Sequence, residues 1–119
     1  MVTLYSSHST SNSVELTLFY VPCPDAASAS GLVSQLISSK LIACGNVISS
    51  ESMFMWEGAL SRENEYIAVM KSIPGLAGKI ESEIRKTHPY SIPAILHWTA
   101  GCNADYYGWL LSQLENSDS

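Results

Sequence analysis

The residues from Lys40 to Gly58 limit the architecture more than any other part of the chain. They read Lys40-Leu41-Ile42-Ala43-Cys44-Gly45-Asn46-Val47-Ile48, a polar break Ser49-Ser50-Glu51-Ser52, then Met53-Phe54-Met55-Trp56 closed by Glu57-Gly58. Two strand-like apolar runs around a short serine-rich break, ended by turn chemistry, predict one extended strand. Such a strand overshoots the usual ~5–6 residues, so its surplus needs something outside its own sheet to pair with. After Gly58 the chain returns. Arg62 to Lys71 places Glu63, Glu65, Ile67 and Val69 on one face and Asn64, Tyr66, Ala68 and Met70 on the other. The tight Glu57-Gly58-Ala59 link makes the two strands a hairpin.

The flanking segments complete the pattern. Val14 to Val21 reads as a first strand at the centre of a sheet, stopped by Pro22-Cys23-Pro24. Asp25 is the expected N-cap of a helix that buries Ala29, Leu32, Val33, Leu36 and Ile37, with Lys40 in its last turn. Gly31 inside that helix costs ~1 kcal/mol relative to alanine. Ser72-Ile73-Pro74-Gly75 opens a second helix with Leu76, Ala77, Ile80 and Ile84 inward, ended by His88-Pro89. A fourth strand is predicted over Ile92 to Thr99, with Pro93 pointing to an edge or a strand start and Gly101 breaking it. Asn103 then caps a last helix bearing Tyr106, Tyr107, Trp109, Leu110, Leu111 and Leu114.

The predicted fold class is therefore α+β, a ferredoxin-like split βαβ sandwich (βαββαβ) with an added C-terminal helix and a long hairpin of the second and third strands. Helices on one sheet face leave the other to water or a partner. Met53, Phe54, Met55, Trp56 and Tyr66 would leave a monomer with an exposed apolar patch. A closed cyclic oligomer covers both the patch and the projecting strand edges. Residues 13–115 are expected to form one domain, between a Ser/Thr/Asn-rich flexible tail at 1–12 and a polar tail at 116–119.

Composition narrows the function. The net charge of −5 argues against nucleic-acid binding and mildly favours cations as ligands. A charged share of 14%, against ~25% in typical soluble domains, fits a surface that is partly covered in an assembly. No apolar run approaches the ~20 residues of a membrane span, and Met1 to Asn12 lacks signal-peptide organisation. Cys23, Cys44 and Cys102 are odd in number and widely spaced, which predicts free thiols in a reducing, cytoplasmic setting. No nucleophile elbow, glycine-rich phosphate loop or paired-histidine metal motif occurs, so no enzyme class and no organic cofactor is indicated.

Five motifs in order resemble the CutA family: Leu41-Ile42-Ala43-Cys44-Gly45-Asn46; Trp56-Glu57-Gly58; Glu65 preceding Lys71; His88-Pro89-Tyr90-Ser91-Ile92-Pro93; and Asn103-Ala104-Asp105-Tyr106 with Trp109-Leu110. The resemblance covers roughly Glu15 to Leu114. It implies a ferredoxin-like homotrimer, similar in build to PII-type signalling proteins, whose long hairpin strands pair between subunits. It also implies binding of copper or another divalent metal ion and a role in tolerance of such ions, with no established catalytic reaction; in animal members it implies a link to acetylcholinesterase anchoring. The sequence departs from the pattern at Ser49-Ser50, in a loop one residue short, and at Phe54, Met55 and Ser72. It departs also at Ala94, where a glutamate commonly stands.

Three residues are candidate metal ligands. Cys44 is either a small buried hydrophobe or, as a thiolate, a soft ligand for Cu(I). His88 is either a helix-end imidazole facing free carbonyls or a ligand suited to copper and zinc. Glu65 is a strand carboxylate among apolar positions and needs a partner; Lys71, six residues away, is too far for direct contact, so a neighbouring subunit could supply it. Trp56 is expected as an interface anchor or pocket wall, and Met53 and Met55 as packing residues more than thioether ligands. Tyr90 either donates its hydroxyl into a cleft or fills space under the second helix. The alternative function is a PII-like small-molecule sensor or protein-interaction scaffold.

Overall fold

The computed structural model describes residues 13–115. The expected tails at 1–12 and at 116–119 lie outside them. The elements are β1 (Ser13–Cys23), α1 (Ala26–Ser38), β2 (Cys44–Trp56), β3 (Ala59–Ser72), a 3-10 turn (Pro74–Leu76), α2 (Ala77–Thr87), β4 (Leu96–Asn103) and α3 (Ala104–Ser112). The four strands form one antiparallel sheet in the order β2-β3-β1-β4. This is the predicted arrangement, with β1 inside the sheet and β4 at an edge. Among the described residues no helix is long and apolar enough to cross a membrane.

The hairpin follows from local chemistry. Glu57 and Gly58 both take positive φ, 50° and 80°, as a two-residue primed turn requires, and Trp56 pairs with Ala59. From that turn the ladder runs unbroken to Cys44↔Lys71. β1 pairs with β3 only from Tyr66 to Ser72, so Ala59–Glu65 has β2 as its sole neighbour. The hairpin thus projects beyond the sheet by roughly 20 Å, at ~3.4 Å per residue.

Asp25 caps α1 as predicted, its Oδ1 accepting the Ser28 backbone N–H at 2.7 Å. Ala29, Leu32, Val33 and Leu36 are buried, whereas Ile37 is exposed. Lys40 lies outside the helix. Its φ of 61° makes it the left-handed residue of a Schellman ending, in which Leu41 N–H reaches Leu36 C=O and Lys40 N–H reaches Ile37 C=O. The core joins α1 and α2 to one sheet face through Phe19, Val21, Ala68, Met70, Ile80 and Ile84. Gly45 sits there because a Cβ would lie 2.7 Å from a Val33 methyl.

Several boundaries differ from expectation. Pro22 is inside β1, paired with Ile67. β4 ends its pairing at Tyr20, so a residue pointing its N and O away from β3 forfeits no ladder bond at Pro22. β3 starts at Ala59, three residues before Arg62, because the two-residue turn lets pairing begin at once. β4 starts at Leu96, not Ile92, since Pro89 and Pro93 keep the preceding segment out of the ladder; Gly101 stays in the strand, opposite Glu15. Ser72 belongs to β3, with its hydroxyl donating to Leu41 C=O at 2.6 Å. Asn103 holds the N-cap position of α3 without a capping bond; its amide donates instead to Asp105.

The C-terminal helix crosses to the second sheet face. Gly45 and Met70 face α1, so their neighbours Cys44 and Lys71 face away from it, and Tyr106 of α3 touches both. That face is partly covered, yet Tyr20, Ile48, Phe54, Trp56, Leu96 and Trp98 remain exposed. On the helical face, Thr17 is only 2% exposed and its hydroxyl has no hydrogen-bond partner. Thr17→Val, which keeps the shape and removes the unpaired group, is expected to raise stability by about 1 kcal/mol in urea unfolding; destabilisation would show that the hydroxyl is satisfied in solution.

Candidate functional site

Glu65 lies on the second sheet face at the base of the projecting hairpin, and it is half-buried. Hydroxyls from two other segments donate to its carboxylate: Ser52 Oγ to Oε1 at 2.5 Å and Tyr90 Oη to Oε2 at 2.8 Å. The hairpin register explains the first contact. Ser50 pairs with Glu65, so Ser52 is its diagonal same-face neighbour. Counting back from the Glu57-Gly58 turn gives that pairing from sequence, a signal the sequence reading left unused. No lysine or arginine among the described residues forms an ion pair with Glu65. The negative charge is therefore held by neutral donors only, with lone pairs to spare for a cation.

His88 and Tyr90 reach this place through the segment between α2 and β4. His88 ends α2 with ψ 135°, the extended geometry that Pro89 imposes on its predecessor. Its Nε2 is 2.8 Å from Pro22 C=O, and its Nδ1 accepts the Tyr90 backbone N–H at 3.0 Å. The partners assign the tautomer: Nε2 carries the proton and Nδ1 the lone pair. The His88 and Tyr90 rings stand 4.9 Å apart. His88 thus fixes Tyr90, and Tyr90 fixes Glu65. For His88 to ligate a metal through Nδ1, the bond to Tyr90 N–H must open.

Cys44 and Lys71 form a separate group. Cys44 Sγ is 3.5 Å from Tyr106 Oη, and Lys71 Nζ stands 5.5 Å from the centre of the Tyr106 ring. From the sequence Tyr106 is a residue of the last helix and of the fifth motif, with no role in a site. Lys71 is six positions along β3 from Glu65, about 20 Å of strand. Within one chain, then, Glu65 and His88 come together through Tyr90, while Cys44 lies with Lys71 elsewhere on the same face. Trp56 is at the far end of the hairpin beside the turn. Among the described residues no three His, Cys, Asp or Glu side chains converge as a metal set. One chain supplies a carboxylate and hydroxyls, hard oxygen donors that make a partial cation site.

Tyr90 sets a pH limit on this arrangement. Burial, followed by its bond to Glu65 and that residue's charge, pushes its phenol up to about 12 from an ordinary 10. A raised value in the folded state means that the stabilisation is intact below pH 10 and is lost as pH rises toward 12. Stability measured across that window should fall for the native protein and fall less for Tyr90→Phe. Equal slopes would show that Tyr90 titrates normally.

Comparisons with known proteins bear on the family and the fold. The family model for the CutA1 divalent ion tolerance protein matches residues 17–113. The divalent-cation tolerance protein CutA of Pyrococcus horikoshii is 31% identical over 99 residues, covering 82% of this chain and 97% of that protein. The chloroplastic protein CutA 1 of Oryza sativa is 29% identical over 111 residues, covering 92% of this chain and 63% of the rice protein. The structure of CutA from Synechococcus elongatus superposes with a TM-score of 0.82 at 25% identity, covering 88% of this chain and 97% of that one. The ferredoxin-like sheet and the extent of both matches leave one assignment: the chain belongs to the CutA1 divalent ion tolerance family.

Proposed function

We propose that this protein is a non-catalytic homotrimer that binds divalent cations, copper among them, and serves the response to metal ions. The observation that carries the reading is the half-buried Glu65 carboxylate, oriented by Ser52 and Tyr90 and lacking a cationic partner among the described residues. Cation binding offsets a charge that is otherwise costly to hold out of water. Because one chain gives only a partial donor set, the remaining ligands come from a neighbouring subunit brought in by the hairpin. His88 or Cys44 of a second copy would complete the set. The exposed apolar face and the free edges of β2 and β4 support assembly through these strands. The free thiols support a reducing, cytoplasmic setting.

Calorimetric titration with Cu(II) and Zn(II) tests the site. Glu65→Ala is expected to weaken binding by at least about 10-fold, since loss of a merely supporting residue costs 10–100-fold. Binding no tighter than millimolar in the native protein would sink the metal role, and unchanged affinity in Glu65→Ala would move the site.

One observation favours the second reading, a PII-like sensor of small molecules. Lys71 forms no ion pair among the described residues, and its ammonium lies over Tyr106 beside Trp109, a setting for an anionic ring compound. A thermal-shift screen of metal ions against nucleotides and organic acids separates the two readings by which class stabilises the protein.

A further inference from the structure

On the helical side of the sheet, away from Glu65, a cleft of about 270 Å³ opens between α1 and the end of α2. Its floor is Cys23 and Leu32, and His88 and Pro89 close one side. Gly31 forms part of the α1 wall. A Cβ built there meets no atom within 4 Å, so neither close packing nor a positive φ requires glycine at this position. Glycine within a helix is unfavourable relative to alanine. The consequence visible in space is that its missing side chain leaves the cleft open.

The lining has a definite chemical character. Apart from His88, whose hydrogen bonds fit the neutral ring, no ionisable side chain but the Cys23 thiol contributes to it. Burial first, then the Asp25 and Glu65 charges, push that thiol up to about 11, so it stays protonated, and it points its hydrogen at Val21 C=O. The polar groups at the rim have their protons engaged: Ser28 Oγ donates to Asp25 C=O at 3.1 Å and Thr87 Oγ1 to Glu83 C=O at 3.5 Å. Gln35 directs its amide N–H at Glu83, leaving its Oε1 without a donor among the described residues. What faces the cleft is therefore acceptor lone pairs above an apolar floor.

We propose that this cleft is a second binding site, taking a small, uncharged, planar molecule with N–H donors, of the primary-amide or amino-heterocycle class. An anion would lose hydration here and meet no counter-charge, only the Asp25 and Glu65 charges that already act on the Cys23 thiol. The volume is at the lower end for ligand pockets and suits a single ring. The cleft lies on the opposite face of the sheet from Glu65 and uses none of its oxygen donors, and His88 is the one residue it shares with the cation reading.

The test uses the complete chain, labelled with ¹⁵N, and benzamide as probe. Saturable shifts of the Gly31 and Thr87 amide signals are expected in the millimolar range, as suits a one-ring ligand. Benzoate, of the same shape but anionic, should produce none. Gly31→Leu places a side chain in the cleft and improves helix propensity, so it should abolish the benzamide shifts without lowering the melting temperature. Absence of saturable shifts in the native protein, equal binding of benzoate, or retained shifts in Gly31→Leu would each overturn the proposal.

Discussion

Phe54→Asp combined with Trp56→Asp is expected to leave a folded monomer of one chain, about 12.9 kDa, in place of the proposed trimer. Both side chains lie on the second sheet face of the projecting hairpin, 39% and 62% exposed in the single chain. Neither belongs to the core cluster, and β1 pairs with β3 no farther out than Tyr66. The fold of one chain therefore loses little. An interface that covers these residues loses about 1.5–3 kcal/mol for each buried apolar side chain, and it must also desolvate new carboxylates. Light scattering should fall from about three chain masses to one, with the far-UV circular dichroism retained. A trimer that persists in the double variant would place the interface elsewhere.

Gly45→Val is the second large effect, and it acts inside the chain. The new Cβ would stand 2.7 and 3.0 Å from the two Val33 methyls and 3.3 Å from Met70 Cγ. Met70 can bend away; Val33 cannot, because its branched side chain holds one rotamer in a helix. Nor can α1 shift readily, being pinned by the Asp25 cap at one end and the Lys40 ending at the other. Overpacking at such a site costs about 2–3 kcal/mol, a fall in melting temperature of roughly 10–20 °C for a domain of this size. Val33→Ala in the same chain should recover part of that loss, and the double-mutant cycle would show a coupling of at least about 0.5 kcal/mol. Additive losses would mean that the strain is relieved through the backbone rather than at Val33.

The Glu57-Gly58 turn, the Asp25 cap and the apolar stripes of α1 and α2 are local signals, and local signals gave the element order and the hairpin. Pro22 shows the opposite case. Alone it reads as a strand breaker, and it becomes acceptable only because β4 stops at Tyr20 and the His88 ring takes its carbonyl. Lys40 likewise reads as a favourable charge in a last helical turn, whereas the backbone there is already left-handed. The candidate site was legible as a set of residues but not as a geometry. Glu65 was expected to need a partner, yet Tyr90 lies 25 positions away with no periodicity linking the two. The grouping of Cys44 with Tyr106, across 62 positions, depends on α3 passing to the other sheet face, which no helical stripe announces.

The place of β1 has a kinetic consequence. Among the described residues it is the first strand and an interior one, flanked by β3 and by β4, whose register reaches from Ser13 to Asn103. The hairpin can close within its own segment, but β1 gains its last neighbour only when almost the whole described chain is available. Loop closure of that span must precede the contacts that reward it, so folding should be slow for a domain of this size and limited by docking of β4. During synthesis the edge of β1 stays open longest, and mutations along Leu96–Asn103 should alter the rate of folding more than those at the hairpin tip.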